Sequence, residues 1–372
     1  MAEAIAWPPK WPRVLDARFG APRPGDYRAT PEDFRVEECL GFAPEGQGEH
    51  LWVWVEKRDL TTDRAARQLA RACGVTPRDL GYAGMKDRKA VTRQWFSVHL
   101  PGREAPEDLD ARLADTPLTL LEITRHPRKL KRGVHGANRF RLRLTGEALA
   151  DPSLEARWDW LCRHGVANYF GPQRFGPDGR NLHRAASLLA RGWRKRDDRD
   201  GMLLSSARSF LFNELLAGRI AEGCWDAPLP GEVVVLDGSS SQFVAESVDA
   251  SLSERAERLD LHPSGLLWGQ GDSLAQGEAR VREQALAEAH PELCAGLERA
   301  GVRTARRPLR VRLGAARLER GEDELWLSFT LPRGAFATAV LRELIDHPSL
   351  SYQPPRQGPE RGAADASTSA VQ

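Results

Sequence analysis

The sequence predicts an α+β fold in which one domain interrupts another. Strand-like and helical segments alternate through the first part of the chain, the pattern turns more helical from about Trp158, and strand patterns resume at Leu309. A strand-rich unit split by a helical middle is what an insertion leaves in a sequence. The 372 residues suffice for about two domains.

The elements follow in order. Met1–Asp26 is rich in Pro and Gly and is expected to wrap a domain surface. Phe34–Glu38 and Leu51–Val55 read as strands, the second apolar on both faces and therefore inside a sheet. Thr61-Thr62-Asp63 caps a helix that carries Ala66, Leu69, Ala70 and Cys73 on one face and stops at Gly74. Thr76–Asp79 has the signature of a very short helix, and Thr92–Leu100 that of a strand. In Arg139–Leu144 the strand period puts Phe140, Leu142 and Leu144 on one face and three Arg on the other. Asn181 and Ser205 or Ser206 are expected helix caps, for helices through Ala190 and Ala221. Gly231–Ala245 reads as short strands, Leu286–Ala300 as a helix, Leu309–Leu313 and Leu325–Leu331 as strands, and Ala335–Ile345 as a final helix. Residues 353–372, rich in Pro, Gly, Ser and Ala, are expected to be disordered.

Composition narrows the function classes. Lys plus Arg number 54 against 52 acids, a net charge of +2, so a polyanionic partner has to be held by local basic patches. The five cysteines are scattered and lack a Cys-x-x-Cys pair, which argues against a disulfide framework or a zinc ribbon and fits a reducing cytoplasm. No metal-ligand spacing, apolar leader or membrane-spanning run is visible. A soluble, cytoplasmic protein is expected, and nothing demands more than a monomer. P-loop, dinucleotide-binding, zinc-deaminase and Gly-x-Ser-x-Gly motifs are missing. A cofactor-free reaction that uses a carboxylate is what elimination leaves.

Gly81–Gln94 is the most informative stretch. It sets Asp87 between Lys86 and Arg88 in a turn, with Gly81 and Gly84 upstream as bend points. A carboxylate on a loop beside cations suits attack on a substrate carried by a polyanion. The basic run Arg125, His126, Arg128, Lys129, Lys131 and Arg132 offers a phosphate-binding surface, continued by the Arg faces at Arg139 and Arg310. Four further segments, Pro31–Glu38, Asn168–Gly176, Ser206–Asn213 and Leu331–Thr338, mix aromatics with Arg, Asn or Gln. Unstacked bases call for that mixture.

Together these residues resemble a known family. Gly84-x-Lys86-Asp87-Arg88-x-Ala90-x-Thr92-x-Gln94 is similar to the active-site motif of the TruD family of tRNA pseudouridine synthases. The four segments and Gly48–Leu51 resemble its other blocks in the same order, from about Tyr27 to Ile345. The resemblance implies a pseudouridine-synthase-like catalytic domain with a mixed β-sheet, interrupted by an inserted α/β domain. The division is residues 1–164 and 308–352 for the catalytic domain and 165–307 for the insert. It also implies a tRNA substrate, uridine 13 as target, and neither cofactor nor metal. Asp87 matches the catalytic Asp. Phe34, Asn138 and Phe336 match positions around the target uridine, and Arg28 stands where many members carry Lys. Tyr82 stands where Phe is common, and His135-Gly136-Ala137 departs from the family pattern. Lys86, Arg88, Arg128, Lys129, Lys131 and Arg132 are the candidates for the RNA backbone, while Thr92 and Gln94 are expected to brace the loop. An RNA-binding protein without turnover and a carboxylate–metal nuclease are the alternatives; the second needs clustered acids.

Overall fold

The structure, a computed structural model, describes residues 5–198 and 201–352. The expected disordered tail, residues 353–372, lies outside the described residues.

The first part of the chain supplies β1 (Phe34–Cys39), β2 (His50–Arg58), β3 (Leu80–Tyr82), β4 (Val91–His99), β5 (Leu118–His126) and β6 (Ala137–Leu144). After β7 (Val166–Ala167) the middle gives β8 (Glu232–Leu236), β9 (Gln242–Ala245), β10 (Leu261–Leu267) and β11 (Ala305–Pro308). The chain returns through β12 (Arg310–Val311) to β13 (Gly314–Arg320) and β14 (Leu325–Pro332). An eight-stranded sheet runs β13-β14-β6-β1-β4-β2-β5, with β3 attached to β4. Its β1–β4 pair is parallel and its β1–β6 and β6–β14 pairs are antiparallel, so the sheet is mixed. A second sheet, β11-β10-β8-β9, is built wholly from the middle of the chain, and β12 pairs with β7 where the two parts meet.

Local sequence explains most of the large sheet. β2 is flanked by β4 and β5, and Leu51, Val53 and Val55 are buried on one face while Trp52 is buried on the other. The helix Thr62–Ala72 takes its cap from Thr61, whose hydroxyl accepts from the Arg64 amide, and lays Ala65, Ala66, Leu69 and Ala70 on the same core. Burying a leucine such as Leu69 stabilises by about 1.5–3 kcal/mol. On the other half of the sheet, Phe140, Leu142 and Leu144 meet Leu327, Phe329 and Leu331 of β14 beneath the helices Leu154–His164 and Ala337–Leu344. The amino-terminal segment wraps both parts: Trp11 stacks on Tyr169 of the middle segment at 6.1 Å, and Leu15 is buried in the β6–β14 core.

Several expectations change. The Arg face of β6 is a salt-bridged sheet surface, with Arg139 2.7 Å from Glu37, Arg141 3.2 Å from Glu319 and Arg143 2.5 Å from Glu324. Arg310 is no RNA contact. It is 3 % exposed and donates to the Ala256 carbonyl (2.6 Å), because the middle segment covers that face. Asn181 lies inside the helix Arg180–Arg191, and Ser205 and Ser206 lie inside Met202–Ala221. The carboxylate of Asp198 caps the latter, accepting from the Leu203 and Leu204 amides. Pro291 divides the expected helix over 286–300 into Gly277–Ala289 and Pro291–Arg299.

Candidate active site

Asp87 sits on the loop from β3 to β4. The upstream glycines serve close approach: a Cβ on Gly81 would collide with the Leu130 carbonyl oxygen, and one on Gly84 would lie 3.0 Å from His135 Cε1. Neighbours pin the loop. Gln94 on β4 donates to the Gly84 carbonyl (3.1 Å) and accepts from the Thr62 hydroxyl (3.1 Å), which in turn accepts from the Lys86 amide (2.9 Å). Gln94 thus braces the loop as its place on the strand implies. Thr92 is buried, but its hydroxyl has no partner among the described residues.

Lys57 on β2 is wholly buried and donates to the carbonyl oxygens of Asp87 (2.9 Å) and Leu60 (2.6 Å). Burial pushes its ammonium down to about 8, against the pull of the Asp87 carboxylate. Lys86 also turns inward. Its Nζ lies 2.9 Å from Glu38 Oε2 and donates to Asn138 Oδ1 at 2.6 Å. The two charged side chains are 5 % and 0 % exposed, and burial pushes the Glu38 carboxyl up while Lys86 pulls it back. Lys86 therefore stands apart from the exposed basic surface among which the sequence grouped it. A cation at Oδ1 also fixes which way the Asn138 amide points. His135 is held neutral: burial, then the positive charges of Lys86 and Arg333, push it down to about 4.

The Asp87 carboxylate is exposed, 3.9 Å from the Arg28 guanidinium. Arg28 lies over the Phe34 ring at 4.1 Å and over Tyr27 at 5.3 Å. Phe34 is only 2 % exposed and carries Arg28 on its ring, so the ring itself is covered. Phe336 is half-buried beside Phe170 (5.7 Å) and precedes the helix Ala337–Leu344. A cavity of about 1050 Å³ joins these residues: Arg28, Phe34, Lys86, Asp87, Asn138 and Phe336 line it together with Gln173 and Arg174 of the middle segment. The cavity thus lies where the two parts of the chain meet, a common place for a substrate site.

The remaining basic residues lie on the surface. Arg88 is exposed and contacts Asp59 at 3.2 Å. Arg128 and Lys131 are exposed, Lys129 donates to the Arg78 carbonyl at 2.5 Å, and Arg132 donates to the Tyr82 hydroxyl at 3.0 Å. His126 is buried against Trp52. Among the described residues no group of three or more His, Cys, Asp or Glu could hold a metal ion, and no helix is long and apolar enough to cross a membrane.

Sequence reasoning missed Lys57, Thr62 and Arg174. A lysine in an apolar strand was a signal for Lys57, since a charge among residues buried on both faces has to find acceptors.

Comparison with known proteins shows the family of the chain. The family model described as tRNA pseudouridine synthase D (TruD) matches residues 21–196 and 198–344. The tRNA pseudouridine synthase D of Chromohalobacter salexigens is 59 % identical over 351 residues, covering 94 % of this chain and 100 % of that protein. The one of Pseudomonas entomophila is 48 % identical over 321 residues, covering 86 % and 90 %. A crystal structure of a putative tRNA pseudouridine synthase D from Methanosarcina mazei has the same fold, with a TM-score of 0.66 and 21 % identity over 89 % of this chain and 95 % of that one. This chain belongs to the tRNA pseudouridine synthase D family.

Proposed function

We propose that this chain isomerises uridine to pseudouridine in tRNA, at position 13, with Asp87 as the essential carboxylate and with neither metal nor cofactor. The observation that carries the reading is the Asp87 carboxylate, open to a large cavity beside Arg28, on a loop tied down by Gln94, Thr62 and Lys57. Fixing a reacting group in advance removes part of the entropic barrier.

The reaction breaks the bond from N1 to C1′, turns the uracil and joins C5 to C1′. C5 loses a proton to water and N1 gains one, so atoms and electrons balance without a donor or oxidant. The uridine first leaves its stack, which costs a few kcal/mol. Phe336 offers a replacement surface, Asn138 reads the nucleotide's polar groups, and Arg28 steadies the Asp87 carboxylate. Asp87 opens the reaction as nucleophile or base. Arg88, Arg128, Lys129, Lys131 and Arg132 meet the RNA backbone. Residues 165–307 form the inserted domain that closes one side of the cavity, and the protein acts as a cytoplasmic monomer.

The test is to incubate unmodified tRNA with the enzyme and map pseudouridine by carbodiimide labelling and primer extension. A stop immediately 3′ of position 13 is expected. Product at another uridine would overturn the assigned position, and no product on bound tRNA would overturn the reaction.

A further inference from the structure

The middle segment places in the cavity wall a guanidinium that has no counter-ion among the described residues. Arg174 ends the turn Pro172–Arg174 and lies against the rings of both Phe170 (5.5 Å) and Phe336 (5.7 Å). Its Nη1 donates to the Ser205 hydroxyl at 3.1 Å and approaches the Met202 sulfur at 3.9 Å, both neutral. Its Nε is buried and has no hydrogen-bond partner among the described residues. Arg307 also stands over the Phe170 ring, at 4.0 Å, and spends its donors on Asn168 and on the Gly334 carbonyl. Among the described residues neither guanidinium has a carboxylate within ion-pair distance. Burial lowers the affinity of both for their protons, and Arg174 adds to the effect on Arg307.

Two partly desolvated like charges without an anion are costly, and a bound anion relieves that cost. The same wall holds the amino end of the helix Ala337–Leu344, where Phe336 supplies no side-chain cap and Ala337 and Thr338 line the cavity. Helix starts leave amide donors free and favour negative charge. A planar guanidinium beside such a start matches a phosphodiester.

We propose that Arg174, beside Phe170 and Phe336 at the start of the helix Ala337–Leu344, seats a backbone phosphate of the nucleotide that enters the cavity. This rests on the assigned pseudouridine reaction. The inserted segment then takes part in catalysis by holding the backbone beside the extruded uridine, while Asp87 acts on the nucleoside.

The test uses tRNA assembled with one uncharged methylphosphonate linkage, either 5′ or 3′ of the target uridine, in single-turnover assays with the wild type and with Arg174→Met. One of the two neutral linkages is expected to slow the wild type by about tenfold to a hundredfold, the worth of one charge-assisted contact. Arg174→Met should slow reaction on ordinary tRNA by a similar factor and lose nothing further on that modified RNA. Wild-type insensitivity to both linkages, or losses that multiply in the variant, would overturn the seat. Wild-type insensitivity overturns the seat even if Arg174→Met fails to fold, and Arg174→Lys, which keeps the charge, then takes its place in the comparison. A wild type that makes no pseudouridine on ordinary tRNA would instead sink the assigned reaction, and the seat with it.

Discussion

Lys86→Met should separate the structural from the catalytic use of the buried cluster. Lys86 and Glu38 form an ion pair at 2.9 Å with side chains 5 % and 0 % exposed, so water cannot replace the lost partner. Removing one member of such a pair costs about 3–5 kcal/mol. The penalty should depend on pH. Glu38 already has its carboxyl pushed up by burial, and Lys86 is the main influence pulling it back. Without Lys86 the folded-state value rises further above the unfolded one. A carboxyl raised in this way stabilises the fold while protonated, and that contribution is lost as pH rises through the folded-state value. The variant should therefore be least impaired in mild acid and most impaired at neutral pH. Urea unfolding at the two pH values measures this. Adding Glu38→Gln removes the stranded charge and should recover most of the stability. It should not recover the rate, because Asn138 Oδ1 still lacks the donor that holds it at 2.6 Å. A loss below about 1 kcal/mol at neutral pH, no dependence on pH, or no recovery in the double variant would refute the reasoning.

The other predictions concern the loop and the surface. Lys57→Met leaves the Asp87 and Leu60 carbonyls without their donor and should lower kcat far more than it raises KM; an unchanged kcat would show that the tether is idle. In the wild type Lys57 is pushed down to about 8 by burial, so the folded chain releases this proton before the unfolded chain does. Its contribution to stability should rise with pH above about 8, while the positive charge beneath Asp87 fades and turnover declines; a rate–pH profile flat to pH about 10 would contradict this. Gln94→Leu removes the link between Gly84 and Thr62 and should lower kcat with little change in tRNA affinity, whereas a pure affinity loss would place Gln94 elsewhere. Replacing Arg128, Lys131 and Arg132 by Gln should cut the dependence of log affinity on log salt by about 2–3, at roughly 0.7–0.9 per phosphate contact; an unchanged slope would remove them from the interface.

What the sequence made legible was mostly local. The cap at Thr61, the alternation in β6 and the apolar run of β2 each depend on neighbours a few residues away, and each is found in the fold. β3 escaped notice because it is short and holds Gly81, whose small size is needed only once Leu130 arrives from far along the chain. β5 is a sheet edge whose Leu121 and Ile123 are exposed, so it lacks the two-sided apolar pattern of β2. For Arg310 the strand was read and the environment was not. Alternation assigns a residue to a face, but only tertiary structure shows that the middle segment covers it. At the site, Asp87 and Phe336 stood in recognisable motifs, Arg28 and Asn138 followed only from the family resemblance, and the structure lines one cavity with all four. Lys57 and the place of Arg174 in the cavity were hidden because their meaning comes from partners distant in sequence: a loop carbonyl 30 positions away, and the Phe336 ring from the last part of the chain.

The central claim is that Asp87 performs the isomerisation unaided by metal. Its most direct test is tritium release from tRNA labelled at uracil C5, with the wild type and Asp87→Asn side by side in EDTA. Joining C5 to C1′ has to expel that hydrogen into water. Release by the wild type alone is the predicted result. Equal release by both would contradict the role of Asp87, and release abolished by EDTA in the wild type would contradict a metal-free reaction.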